Sequence, residues 1–338
     1  MAASAILKSC IDSDGPGRIE DLPGRFSPCV AASARSRRGR LLAVAAGIVS
    51  AWACAAVTLA ERSVRLPAAL CNQPAPALAA RVAREAGARW QAAEIQAADG
   101  VPLRGWLFVP ERGTGRAVIL LHGIGDTRQG ELGHAPYLLA EGYAVLVPDG
   151  RAHGASGGGL VTYGLRERDD VRCWADWLLA TQPVGALYGM GHSLGAAILL
   201  QTLADGPRFR AVVAESPFAE FPGIAYDRLG SFTGVPPSSR FVFAPLVEPS
   251  LWYARWRYGI DLIQASPASA VAQTRVPVLL IHGTKDWHVE IHHSRKLRAA
   301  NPHFVTLWEI EGGQHVRLIV QAGKDYEQRV TAWFAAHR

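Results

Sequence analysis

The stretch YGMGHSLGAA, residues 188–197, sets Ser193 between Gly191 and Gly195, after an apolar run and before a string of small residues. A serine hydroxyl is a weak nucleophile near neutral pH. It needs a base within hydrogen-bonding reach, itself oriented by a third group. Two later segments offer those groups, each just beyond a short apolar run: VPVLLIHGTKDWHV carries Asp286 and VTLWEIEGGQHVRL carries His315. In the chain order serine, aspartate, histidine, such residues suit acyl transfer, with the serine attacking, the histidine moving its proton and the aspartate holding the imidazole. The oxyanion formed on the way needs backbone N–H donors. The expected ones are Leu194, directly after the serine, and Ile124 in HGIGD.

The pattern G-x-S-x-G does not choose the serine by itself, because Gly154–Gly158, with Ser156, also fits it. Context separates the two. Ser193 follows the strand-like ALYGMGH and precedes LGAAILLQTLA, a good helix former. A serine on a sharp strand-to-helix turn has its hydroxyl clear of the sheet edge, and the helix directs its positive end at the reacting oxygen. Ser156 runs into Gly157, Gly158 and Gly159, which do not start a helix. Ser193 is the expected nucleophile and Ser156 a loop residue.

The elements that must position these groups alternate along the chain. AAEIQAA and PLRGWLFVP flank Asp99-Gly100 and predict a β-hairpin. The apolar runs AVILLHG, YAVLVPDG, ALYGMGHS, AVVAESP, VPVLLIHG and VTLWEIEGG follow, with helical patterns such as Leu165–Leu179 and Gly195–Leu203 between them. Continuous apolar strands bounded by turns suit a parallel sheet buried on both faces. The expected fold is α/β: a doubly wound, mostly parallel eight-stranded sheet with helices on both faces and an antiparallel hairpin at one edge. Nearly sixty residues separate AVVAESP from VPVLLIHG, and residues 218–258 hold ten aromatics. An insertion at the carboxyl end of a strand lies where ligands bind. Residues of about 218–270 are therefore expected to form a helical lid with an apolar underside.

The motifs LLHGIGD, PDGRAHGASGG, GHSLGAA, IHGTKDWHV and GGQHV, in that order, resemble the α/β-hydrolase superfamily over residues 88–338. The chain is most similar to the group of serine aminopeptidases, prolyl oligopeptidases and membrane-anchored acyl-ester hydrolases, without a propeller domain. The resemblance implies a serine hydrolase with Ser193, Asp286 and His315 as its triad, needing neither metal nor organic cofactor. In relatives a glycine usually precedes the histidine of the second motif, where Ala152 stands here. Asp149, Arg151 and His153 are expected to brace the loop beside the site, and His122 to satisfy local hydrogen bonds. His288, His292 and His293 lack the spacing of a zinc protease and are expected on a solvated helix face.

Residues 41–60 form an uncharged apolar run of 20 residues, long enough as a helix to match a bilayer core of about 30 Å. Arg35, Arg37, Arg38 and Arg40 precede it, whereas Arg62 and Arg65, offset by Glu61, follow. That imbalance predicts a single-pass membrane anchor with the N-terminus inside and the catalytic domain outside. Export after signal cleavage and a soluble helix remain alternatives. The expected organisation is a disordered segment over 1–34, a basic flank and transmembrane anchor over 35–62, a linker over 63–87 and a hydrolase domain over 88–338.

Composition narrows the partners. The formal charge of +6 on 338 residues is modest and, outside the N-terminal cluster, scattered, so no nucleic-acid partner is expected. Five cysteines without paired spacing suggest no structural zinc. The expected function is a membrane-anchored hydrolase cleaving the carboxylic ester of a small molecule through an acyl-enzyme. A peptidase or thioesterase on the same triad is the alternative, and a non-catalytic binding protein with this fold is a further one. Oligomeric state is not legible.

Overall fold

The computed structural model describes residues 29–67, 75–206 and 208–338. The expectation of disorder over 1–34 falls mostly outside those residues. Helix α1 (Cys29–Val64) comes first, then α2 (Pro76–Glu85), and β1 (Ala88–Gln96) and β2 (Pro102–Pro110) make the hairpin. Strand β3 (Arg116–Leu121), helix α3 (Ala135–Ala140), β4 (Tyr143–Pro148), α4 (Glu167–Thr181), β5 (Ala186–His192) and α5 (Leu194–Thr202) follow. Beyond β6 (Val212–Glu215) lie α6 (Phe221–Thr233), α7 (Ala244–Tyr258) and α8 (Pro267–Val271). The chain closes with β7 (Val278–Gly283), α9 (His292–Ala300), β8 (Val305–Ile310), α10 (Leu318–Ala322) and α11 (Lys324–Ala336).

The eight strands lie in the order β1-β2-β4-β3-β5-β6-β7-β8. Pairings of β1 with β2 and of β2 with β4 are antiparallel, and every other pairing is parallel. The turn between β1 and β2 closes at Gly100, whose N–H donates to the Ala97 carbonyl at 2.8 Å, with φ at +79°. That left-handed backbone suits glycine.

Alternation along β3 explains the burial on both faces. Ala117, Ile119 and Leu121 join one apolar cluster, with Trp174, Leu178 and Leu199 from α4 and α5. Val118 and Leu120 point the other way, into a cluster with Leu138 of α3 and Val330 and Phe334 of α11. Successive side chains of a strand face opposite sides, so a run with no polar member needs cover on both.

One segment adds a helix to the sequence expectation. Residues 76–85, within the expected linker, form α2, which buries Ala79, Val82 and Ala83 against the second cluster. Its ten residues sit beside the hairpin, so a short alanine-rich segment is helical through packing rather than intrinsic strength. Ala152 has φ at +60°. A backbone conformation that glycine adopts at least cost is thus held here by an alanine.

Residues Arg37–Val64 of α1 are long and apolar enough to cross a membrane, and Leu41, Leu42, Val44, Ile48, Val49 and Trp52 are all exposed. A core helix would bury such side chains. Among residues 37–64 of α1, the buried ones are Ala56, Ala60 and Val64, toward its end.

Candidate active site

Strand β5 delivers Ser193 to its edge, and the chain turns there directly into α5. Ser193 adopts φ +51° and ψ −113°, a conformation that costs a non-glycine residue about 1–3 kcal/mol. The surroundings hold it: the Ser193 N–H donates to the Glu215 carbonyl at 2.8 Å, and its own carbonyl accepts from the Ala197 N–H at 3.0 Å. Close approach dictates the flanking glycines. A Cβ at Gly191 would lie 2.6 Å from the Gly195 carbonyl carbon, and one at Gly195 would lie 2.3 Å from the Leu121 oxygen.

The loops after β7 and β8 bring two further groups to Ser193. His315 Nε2 lies 2.9 Å from Ser193 Oγ, and His315 Nδ1 lies 2.7 Å from Asp286 Oδ2. With Nδ1–H donating to the carboxylate, Nε2 is left to accept the serine proton. Asp286 is buried, which by itself would raise its pKa. Hydrogen bonds from His282 and His315 outweigh burial and hold it well below the ordinary carboxylate range. The backbone N–H groups of His288 and Val289 also donate to its Oδ1, at 3.0 and 2.9 Å. An ionised carboxylate, an oriented imidazole and a serine hydroxyl therefore lie in one hydrogen-bonded chain.

Ile124 and Leu194 both line the cavity into which Ser193 opens. Leu194 begins α5, where the first N–H groups lack intrahelical acceptors. Two histidines stiffen the loop that carries Ile124. His153 donates from Nδ1 to the Arg151 carbonyl at 2.9 Å, so its Nε2 accepts the Gly125 N–H at 3.2 Å. Burial and the neighbouring His122 push His153 down to about 4, which keeps that acceptor nitrogen unprotonated at neutral pH. His122 adopts the same arrangement and ties its loop to the other in return: Nδ1 donates to the Gly123 carbonyl at 2.8 Å and Nε2 accepts the Gly150 N–H at 2.9 Å.

The rest of the PDGRAHGASGG segment braces the same corner. Asp149 accepts from the Arg128 and Ala155 N–H groups at 2.8 and 2.7 Å. Arg151 forks onto Asp170 at 2.7 and 2.6 Å and reaches Asp99 at 2.9 Å. Ser156 donates to the Asp149 carbonyl at 2.8 Å, in a loop away from Ser193.

The cavity above Ser193 and His315 has a volume of about 360 Å³, within the range of about 300–1,000 Å³ usual for small-molecule sites. Phe221, Ile224 and Leu229 of α6 and Leu251 of α7 give it an apolar roof. Phe241, Trp252 and Trp256, among the ten aromatics of the insertion, are instead exposed. Arg228 of α6 and His288 line the cavity and are joined at 3.0 Å, with the guanidinium donating. Burial, then His315 and Arg228, lower the pKa of His288, so it accepts as the neutral ring.

The expected solvated face of histidines is corrected. His288 lies in the turn before α9, not on a helix. His293 is buried, and both His292 and His293 place Nε2 3.0 Å from Asp227 of α6. The three could be taken for metal ligands. However, His293 Nδ1 accepts the Ala219 N–H at 3.2 Å, so Nε2 carries the proton that it directs at Asp227. The cluster ties the lid helix α6 to α9. A second cluster gathers Glu131, His134 and His192. His192 Nδ1 lies 2.7 Å from Glu131 and Nε2 lies 3.5 Å from Glu215. Burial opposes the charge on His192, but the two carboxylates push its pKa up to about 9.

Residues 118–329 match the model of the Alpha/beta hydrolase family. The chain belongs to that family. This alpha/beta hydrolase is 27% identical over 242 residues to the uncharacterized protein YqkD of Bacillus subtilis (strain 168), over 70% of this chain and 76% of that protein. It is 28% identical over 236 residues to the uncharacterized protein YfhR of Escherichia coli (strain K12), covering 67% and 73% of the two chains. Among solved structures, the Pyrococcus furiosus esterase Pf2001 is similar with a TM-score of 0.61 at 26% identity, over 75% of this chain and 95% of the esterase. These likenesses support hydrolase activity.

Proposed function

We propose that the protein is a membrane-anchored serine hydrolase that cleaves the carboxylic ester of a small molecule. The observation that carries this reading is the hydrogen-bonded chain from Asp286 through His315 to Ser193, at 2.7 and 2.9 Å, on the floor of an apolar cavity. The likeness to an esterase structure agrees with it.

In this reading Ser193 Oγ bonds to the ester carbonyl carbon while its proton passes to His315 Nε2. Asp286 stabilises the resulting imidazolium. The carbonyl oxygen, now an oxyanion, is received by the N–H groups of Ile124 and Leu194. His315 then protonates the leaving oxygen as its bond to carbon breaks, and the alcohol departs. Water attacks the acyl-serine, gives a proton to His315, and that proton returns to Ser193 as the acid leaves. The sum is ester plus water to acid plus alcohol.

The anchor is α1, with its arginine-rich N-terminal flank inside. Glu61 of α1 accepts from Tyr253 and Tyr258 of α7, at 2.9 and 2.5 Å. A helix end integrated into the domain favours a retained anchor over a cleaved leader.

The test is turnover by the purified full chain of one acyl group presented as p-nitrophenyl ester, thioester and anilide. The ester is expected to be hydrolysed fastest. Faster cleavage of the anilide would reassign the protein as a peptidase. A folded protein inert to all three would favour a binding protein.

A further inference from the structure

The lid does not enclose the cavity alone. Leu59, Ala60 and Ser63, from the last two turns of α1, form part of the same wall as Phe221 and Leu251. Several bonds fix that stretch of helix in place. Besides the Glu61 contacts with Tyr253 and Tyr258, Tyr163 donates to the Ser63 carbonyl at 2.8 Å, and the Val161 N–H donates to the Val64 carbonyl at 2.8 Å. Tyr163 itself lines the cavity. The apolar end of a membrane-crossing segment is thereby built into the site where a substrate would lie.

A second observation concerns the outer side of α7. Trp252 and Trp256 lie one turn apart with parallel rings, 6.1 Å between centroids, and expose 65% and 67% of their surface. Tyr253, next to the first of them, is bonded to Glu61, the first charged residue after the uncharged run of α1. Tryptophan is enriched at membrane–water boundaries, where an apolar ring with one polar N–H is well accommodated. The exposed pair therefore stands at the level along the chain where the helix passes from lipid to water.

We propose that the end of α1 is part of the acyl-binding wall and that α7 sits in the lipid interface, so that the site takes the acyl chain of a lipid ester directly from the bilayer holding α1. This rests on the hydrolase reading above and adds the substrate class. An acyl chain that enters along Leu59 and Ala60 stays in apolar surroundings between bilayer and Ser193, so its hydration is avoided throughout. Esters with short acyl chains need no such wall.

The experiment uses the full chain in phosphatidylcholine vesicles, with p-nitrophenyl palmitate in the bilayer and p-nitrophenyl acetate in the aqueous phase. Ala60→Trp is expected to lower the palmitate-to-acetate ratio of kcat/KM by about tenfold or more, the scale on which pocket shape discriminates between substrates. The surface double variant Trp252→Ser/Trp256→Ser is expected to lower the same ratio several-fold. An unchanged ratio in Ala60→Trp, or in the double variant where Ala60→Trp does not fold, overturns the proposal. A folded wild type that hydrolyses neither ester overturns the hydrolase reading itself, and this inference with it. Hydrolysis of acetate with unaltered chain-length preference overturns the inference alone.

Discussion

His315 Nε2 stands 2.9 Å from Ser193 Oγ, across 122 residues of chain. Neither residue lies in a regular element. Ser193 occupies the turn between β5 and α5, and His315 the loop after β8, so the sheet order sets their meeting. Val316, directly after His315, has φ at +45°, a second strained backbone at the same site. Strain of this kind persists where surrounding structure over-determines it.

Asp286→Asn should retain the fold and lose activity. The substituted amide can present N–H rather than a carboxylate oxygen to His315 Nδ1, which removes the charge that stabilises the imidazolium. A fall in kcat/KM of about 10³–10⁴-fold on p-nitrophenyl acetate is expected, with a circular dichroism spectrum like that of the wild type. A fall of only a few-fold would assign Asp286 a structural role through its bonds to His288 and Val289.

Gly195→Ala should destabilise the protein where Gly133→Ala does not. The added methyl at 195 meets backbone, the Leu121 oxygen at 2.3 Å and the His122 oxygen at 2.6 Å, whereas at 133 nothing lies within 4 Å. Urea unfolding is expected to register a loss of about 1–3 kcal/mol for the first, the usual scale of overpacking. The second should stay within about 0.5 kcal/mol of wild type. Equal effects would mean that α5 shifts freely from the sheet.

His192 predicts a loss of stability on the alkaline side. Its folded pKa is raised from 6.5 to about 9 by Glu131 and Glu215, against the effect of burial. The stabilisation is complete below the unfolded value near 6.5 and is lost as pH rises through about 9, with an upper bound of about 3 kcal/mol. Burial also raises the Glu215 carboxyl, which makes stability fall in the same direction but starting from its ordinary 4.5. Thermal midpoints from pH 6 to 10 should therefore decline in the wild type and be flatter in His192→Gln. Parallel curves would contradict the assignment.

The central strands β3 and β4 were legible because burial on both faces leaves no polar residue inside them, and each run ends at a turn. Ser193, Asp286 and His315 each follow such a run, so their common edge could be read from chain order. The part of the cavity made by α1 could not. Leu59, Ala60 and Ser63 are ordinary residues for a membrane helix, and the tyrosine that reaches Glu61 at 2.5 Å lies 197 residues away. The histidines before and on α9 misled for a related reason. Their partner, Asp227, belongs to an insertion whose folding back over the sheet leaves no periodic signal near residue 292. Ala152 is the converse case: its departure from the usual glycine was visible, but the positive φ that gives the departure meaning was not.

The most direct measurement is the site of fluorophosphonate attachment, read by peptide mass on the wild type and on Ser193→Ala. An activated Ser193 predicts one phosphonylated peptide, that spanning Gly191–Gly195, and no labelling of the variant. A folded wild type that takes no label, or labelling that persists in Ser193→Ala, would contradict the account.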